Sequence, residues 1–265
     1  MKADWELIRA APAPDLAGAV TGYSGYREMR QLTITRCEPA TSIVPLIVNF
    51  GAPFVMTMPD GERIAPASFA AGVIDRPVLV SSSGASACVQ IDFTLAGAYR
   101  FFHLDPRDMA GRVVALDDLG ISRDLAARIE AAPSWRARFD LLDDTVRGRL
   151  ARGRGLSSGV VGALRLLEGG RRRIREIAGE IGWSERHLTR RFAAETGVAP
   201  KTLARILRFE AARRLAAPSA AGGWAEFALT AGYADQAHLI REFRTLSGLS
   251  PKAMLAQDSA IPASA

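Results

Sequence analysis

Two textures of apolar and polar positions divide the chain. Between about Thr21 and Phe102, apolar and β-branched residues come in short runs: LTITRC (32–37), SIVPLIVNF (42–50), FVMTM (54–58), RPVLV (76–80) and CVQIDFTL (88–95). Runs of this length bounded by turn residues predict strands. Asp60-Gly61 between two of them is a hairpin signal, and SSSGAS (81–86) marks another turn. Beyond about Asp105 the spacing lengthens. ISRDLAARIEAA (121–132), PSWRARFDLLDDTVRGRL (133–150) and SSGVVGALRLLEGG (157–170) carry apolar residues at helical intervals, with Ser or Pro near their starts. A β-rich part therefore passes into helices, and EGGRRR (168–173) is expected to mark a boundary.

Past that boundary the pattern repeats. GWSERHLTRRF (182–192) aligns with GYADQAHLIREF (232–243): Gly, an aromatic, a capping residue, His-Leu, and Phe five positions after the His, with one extra residue in the second copy. Upstream, Ile174, Ile177, Ala178 and Ile181 form one apolar stripe at i, i+3, i+4 and i+7, and Trp224, Phe227, Ala228 and Ala231 reproduce it. Gly182 and Gly232 can take the positive φ that ends a helix sharply, and Ser184 and Asp235 can cap the next one. That second helix buries Leu188 and Phe192, or Leu239 and Phe243, and ends at Gly197 or Gly248, each followed by Pro. Each copy is a helix-turn-helix unit. Between them PKTLARILRFEAARRLAAP reads as one helix over 201–216 with Leu203, Ile206, Leu207, Ala211 and Leu215 on roughly one face. Sixteen residues span roughly 24 Å. With the width of the units, the two second helices could lie about one duplex turn, roughly 34 Å, apart.

Charge supports the same division. The 265-residue chain is +6 overall, but 171–255 holds fifteen Lys/Arg against eight Asp/Glu. A basic segment beside a near-neutral body points to a polyanion partner for the second part. Hydrophobic content of 48% suffices for packed cores without staples, and the two cysteines, Cys37 and Cys88, form no CxxC. The first twenty residues do not read as a signal peptide, and no run of 18 apolar residues occurs, so a cytoplasmic protein without a membrane partner is expected.

The stretches IAGEIGWSERHLTRRFAAETGVAP, RFEAARRLAA and FALTAGYADQAHLIREFRTLSGLSPKAM make residues 171–255 resemble the DNA-binding domain of AraC/XylS-family transcription regulators. The family's linker often ends in Leu-Leu, where this chain has the alanine- and glycine-rich RLAAPSAAGG. The resemblance implies double-stranded DNA as partner and residues near the start of each second helix facing bases. Here these are Arg186, Thr189 and Arg190 in the first unit and Gln236, His238 and Arg241 in the second. Arginine can clamp guanine and glutamine adenine. Ser184, Arg191, Lys201 and Arg244 are placed at phosphates. His187 and His238 fall at the third position of a capped helix. With His103 the remaining histidine and no cysteine nearby, no metal, cofactor or catalytic site is expected there.

The N-terminal part, including AYRFFHLDPRDMAGRVVALDDLG (98–120), resembles the cupin-like sensor and dimerisation region of such regulators. The expected class is α+β: a β-rich sensor/dimerisation domain with following helices over 1–165, an all-α domain of two helix-turn-helix units joined by a long helix over 166–255, and a flexible tail over 256–265. The resemblance implies a homodimer and names no effector. Phe50, Phe54 and Phe69 either line a ligand-holding interior or fill a core. A ligand-free dimerisation module stays open beside the receptor reading. A cupin-type enzyme lacks its His-x-His cluster, and an alkyl-DNA-repair protein lacks its reactive thiol, since RCEP at Cys37 and ACVQ at Cys88 do not supply one.

Overall fold

A computed structural model describes residues 5–29, 33–122, 124–168, 172–215 and 223–260. Two antiparallel sheets face each other in the N-terminal part. The larger has the order β1 (Trp5–Ala10), β2 (Val20–Glu28), β9 (Ala87–Phe93), β4 (Val44–Asn49), β7 (Phe69–Ala71) and β10 (Val113–Ala115). The smaller has the order β3 (Ile34–Glu38), β8 (Val78–Ser82), β5 (Val55–Thr57) and β6 (Arg63–Ile64). The expected hairpin joins β5 to β6, with Gly61 at φ +91° and Asp60 Oδ1 accepting from the Glu62 N–H at 3.0 Å. The strand β1 had no distinct signal in the sequence.

Strand parity divides the larger sheet's side chains between two environments. Val44, Leu46, Val48, Val89, Ile91 and Phe93 point to the helices and belong to the main core. Pro45, Ile47, Cys88 and Gln90 point to the smaller sheet, where with Met56, Val78 and Val80 they line a cavity of about 480 Å³. Phe54 and Phe69 line it too. Phe50 does not: it has the parity of Val48 and packs against Trp135 on the helix side, ring centroids 6.3 Å apart.

Helices α1 (Leu95–Phe102), α2 (Pro106–Met109), α3 (Asp124–Ala131) and α4 (Trp135–Leu150) follow. Thr94 caps α1 by accepting from the Gly97 N–H, and Ser134 caps α4 by accepting from the Ala137 N–H. Trp135 lies so close over Gly25 of β2 that a Cβ there has no room, and Tyr23 stacks on Phe139 at 5.9 Å.

The C-terminal helices are α5 (Ser158–Glu168), α6 (Ile174–Glu180), α7 (Glu185–Thr196), α8 (Pro200–Leu215), α9 (Trp224–Thr230), α10 (Gln236–Ser247) and α11 (Pro251–Ala260). Helix α5 packs on α6, α7 and α8, and its Gly159 is the floor under Trp183. The boundary expected at 165/166 thus falls inside a helix that packs with the C-terminal group. Residues 169–171 of EGGRRR and 216–222 of RLAAPSAAGG lie outside the described residues. Of the expected tail, 256–260 continue α11 and 261–265 lie outside them.

The long helix α8 buries Leu203, Ile206, Phe209 and Ala212. Leu207 and Ala211 are half-buried and Leu215 is 53% exposed, so the buried face is rotated from the expected one. The cause is Phe209, whose ring meets Phe243 of α10 edge-on at 4.8 Å and fixes which side of α8 turns inward. Truncating Phe209 to Ala should cost about 3–5 kcal/mol, read as a lowered denaturation midpoint in urea.

Candidate nucleic-acid interface

The two units close their turns with the same backbone bonds. The Trp183 N–H donates to the Ala178 carbonyl at 2.8 Å and the Gly182 N–H to the Gly179 carbonyl at 3.1 Å. In the second unit Tyr233 donates to Ala228 at 2.9 Å and Gly232 to Leu229 at 3.0 Å. These bonds consume carbonyls that a helix end leaves unpaired. They need a left-handed residue, and Gly182 and Gly232 stand there at φ +73° and +83°.

Each second helix is then capped and braced. Ser184 Oγ accepts from the His187 N–H at 3.2 Å, and Asp235 Oδ1 from the His238 N–H at 2.6 Å. The His187 ring meets Trp183 edge-on at 4.7 Å, and His238 meets Tyr233 at 5.3 Å. His238 Nδ1 also accepts from the Ala234 N–H at 3.3 Å, so this half-buried ring braces the turn as well as standing near the outer face. Tyr233 is buried, which pushes its phenol up to about 12, and the Arg208 guanidinium lies 5.0 Å over its ring.

The helices also end alike, through a device the sequence comparison did not single out. Thr196 Oγ1 donates to the Phe192 carbonyl at 2.8 Å, and Ser247 Oγ to the Phe243 carbonyl at 2.7 Å. The same oxygens accept from the N–H of Val198 and of Leu249. Both hydroxyls are buried, and the glycines that follow, Gly197 and Gly248, are left-handed. A small hydroxyl residue directly before each glycine was the available signal.

With Leu188, Phe192, Leu239 and Phe243 turned inward, the opposite faces are polar and open. Arg186, Thr189 and Arg190 on α7, and Gln236 and Arg241 on α10, are all exposed, as are Ser184, Lys201, Arg191 and Arg244. Arg190 and Arg241 occupy equivalent places, three residues after each His.

Several of the basic residues counted in the sequence are committed within the protein. Arg205 and Arg208 of α8 pair with Glu242 of α10 at 3.0 and 3.5 Å, fastening the linking helix to the second unit. Arg191 pairs at 2.8 Å with Glu195, whose buried carboxylate also accepts from the Ser157 N–H and Oγ at 2.7 and 2.9 Å. Arg191 is therefore partly held along its own helix, and Arg172 pairs with Glu180. Among the described residues no group of three His, Cys, Asp or Glu is placed to hold a metal, and no helix is long and apolar enough to cross a membrane.

Residues 177–257 match a family model described as a helix-turn-helix domain. Among solved structures, the chain is similar to ToxT from Vibrio cholerae at 10% identity, covering 95% of this chain and 97% of that one with a TM-score of 0.51. That likeness is one of fold, a β-rich half followed by a helical half. A transcriptional regulator with an AraC-type DNA-binding domain from Chromobacterium violaceum is 23% identical, covering 39% of this chain and 95% of that one, with a TM-score of 0.36. The DNA-binding domain of AdpA, solved in complex with a target DNA, is 26% identical over 39% of this chain and 96% of that one, with a TM-score of 0.35. A comparison with curated proteins finds no match.

The caps should behave as independent contributions to the two units. Ser184→Ala and Asp235→Ala should each destabilise the protein by about 1 kcal/mol, with nearly additive effects in the double variant, measured by urea unfolding.

Proposed function

We propose that this chain, with its helix-turn-helix domain over residues 177–257, is an AraC-type, sequence-specific, DNA-binding transcription regulator that acts by binding and not by catalysis. The observation that carries the reading is the duplicated, outward-facing polar row. Two equivalent capped helices, each presenting an exposed arginine at the same place, are held on one 16-residue helix roughly 24 Å long. With the width of the two units added, a linking helix of that length would set α7 and α10 about one duplex turn, roughly 34 Å, apart, in successive major grooves on one face.

In this reading Arg186, Thr189 and Arg190 face bases in one groove, and Gln236, Arg241 and the turn-bracing His238 face bases in the next. Ser184, Arg191, Lys201 and Arg244 contact phosphates and set position without specifying sequence. Arg191 would exchange part of its pairing with Glu195 for the phosphate. The domain begins at Ser157, because α5 supports both Trp183 and α8. The protein works in the cytoplasm as a homodimer.

For the N-terminal part, the cavity between the sheets favours a receptor over a plain dimerisation module. It is within the size range of small-molecule sites and is lined by apolar side chains such as Phe54, Met56 and Phe69, with a few polar ones such as Arg9, Ser24 and Gln90. A small-molecule effector would modulate DNA binding from there.

The intact protein should bind duplex DNA with an affinity that falls steeply as salt rises; a salt-insensitive or undetectable interaction would sink the reading. Arg190→Ala and Arg241→Ala should each lose about 1–3 kcal/mol at the preferred sequence and relax base preference at one position. Arg244→Ala should instead weaken all sequences alike and reduce the salt slope by about 0.9. Fluorescence anisotropy over a salt series with matched and scrambled duplexes separates the two classes.

A further inference from the structure

The segment 37–43, from the end of β3 to the start of β4, has one side in the cavity and the other on α8 and the end of α10. On the cavity side, Glu38, Pro39, Thr41 and Ile43 form part of the wall. On the other side, Glu210 of α8 accepts three hydrogen bonds: from the Ser42 N–H at 2.8 Å, from Ser42 Oγ at 2.8 Å and from Thr41 Oγ1 at 3.1 Å. Bonds to an ionised carboxylate are the strong kind. The same segment reaches the carboxyl end of α10, where a helix leaves its last carbonyls without partners. The Ala40 N–H donates to the Leu246 carbonyl at 2.7 Å, and Cys37 Sγ to the Ser247 carbonyl at 3.2 Å. Arg213, one turn beyond Glu210 on α8, also borders the cavity.

The first unit is tied down elsewhere. Gly197 lies against the Pro106 carbonyl, 2.6 Å from where a Cβ would stand, and Glu195 holds Ser157. The cavity wall is thus bonded to the linking helix α8 and to the end of α10, and none of these bonds goes to α6 or α7. The tie covers none of the polar row, since Gln236, Arg241 and Arg244 stay exposed, so it acts on the unit's orientation and not by occlusion.

We propose that segment 37–43 is the strap through which occupation of the cavity alters DNA binding by the second unit: an occupant that displaces the wall displaces Glu210 and the end of α10 with it. The proposal rests on reading the chain as a cavity-modulated DNA-binding regulator.

A fixed occupant can be supplied by Val78→Trp. Val78 pairs with Glu38 across β8 and β3, and its side chain lines the cavity beside the strap. Affinities of full-length wild type, V78W, E210A and the double variant are measured for one duplex selected by the wild-type protein from a random pool. V78W should shift the dissociation constant at least about fivefold. In the E210A background the same substitution should have a clearly smaller effect, because the bonds to α8 are cut and only those to the end of α10 remain. An unchanged constant in V78W, or a shift of the same size in both backgrounds, would overturn the strap. If V78W does not fold by thermal unfolding, Val80→Trp, one pleat further along the same cavity-facing side of β8, replaces it. If the wild type selects no duplex, the regulator reading fails by itself. Hydrogen exchange then still decides the strap: the Ala40 and Ser42 amides should exchange faster in the filled variant than in wild type, and equal protection would refute it.

Discussion

Helix α8 has to complete the cores of two units at once, and the rest of the C-terminal structure depends on how it does so. Its buried residues Leu203, Ile206, Phe209 and Ala212 advance by three, so the inward stripe drifts round the helix instead of keeping to one line. Such drift lets one straight helix meet α5 and α7 along one part of its surface and α10 along another. Phe209 against Phe243 and Arg205 against Glu242 fasten the α10 side. An apolar contact and an ion pair on successive turns leave α10 little freedom to roll, and that fixes which of its residues face outward.

Much of this half was legible because its determinants are local. A left-handed glycine, a capping Ser or Asp and an apolar pair at i and i+4 are all set within about a dozen residues, and duplication showed which of them mattered. What escaped was what depends on distant partners. The inward face of α8 was misplaced because Leu215 is as apolar as Phe209, and only the position of Phe243 separates them. Helix α5 was expected as a helix, but its packing on α6, α7 and α8 was not, since its support of Trp183 runs through Gly159, a residue that contributes only an absence of volume. The bonds from Thr41 and Ser42 to Glu210 join residues nearly 170 positions apart, and no periodicity in a single sequence reports such a pairing.

In the N-terminal half, parity did what spacing does in helices. The run SIVPLIVNF is apolar on both of its faces, as a strand buried on both sides must be, so alternation could not tell which residues turn to the cavity and which to the helices. Phe50 and Phe69 looked alike as candidates, and one position of parity separates a core packing partner of Trp135 from a wall of the cavity. The same uniform apolarity that made the strands easy to find hid the division of labour between their faces.

The two polar faces are equivalent in frame and unlike in content. Counting from His187 and His238, Arg190 corresponds to Arg241, but Arg186 corresponds to Ala237, Thr189 to Ile240, and the outward Arg191 to the inward Glu242. Tandem units on one helix, with different residues in matching places, form a surface without a two-fold axis. A duplex read by such a surface has a head and a tail: turning the site end for end presents a different chemical question. One chain bound in the proposed way would therefore carry an orientation along the double helix, and its β-rich half, which touches both units, would lie on a defined side of the site.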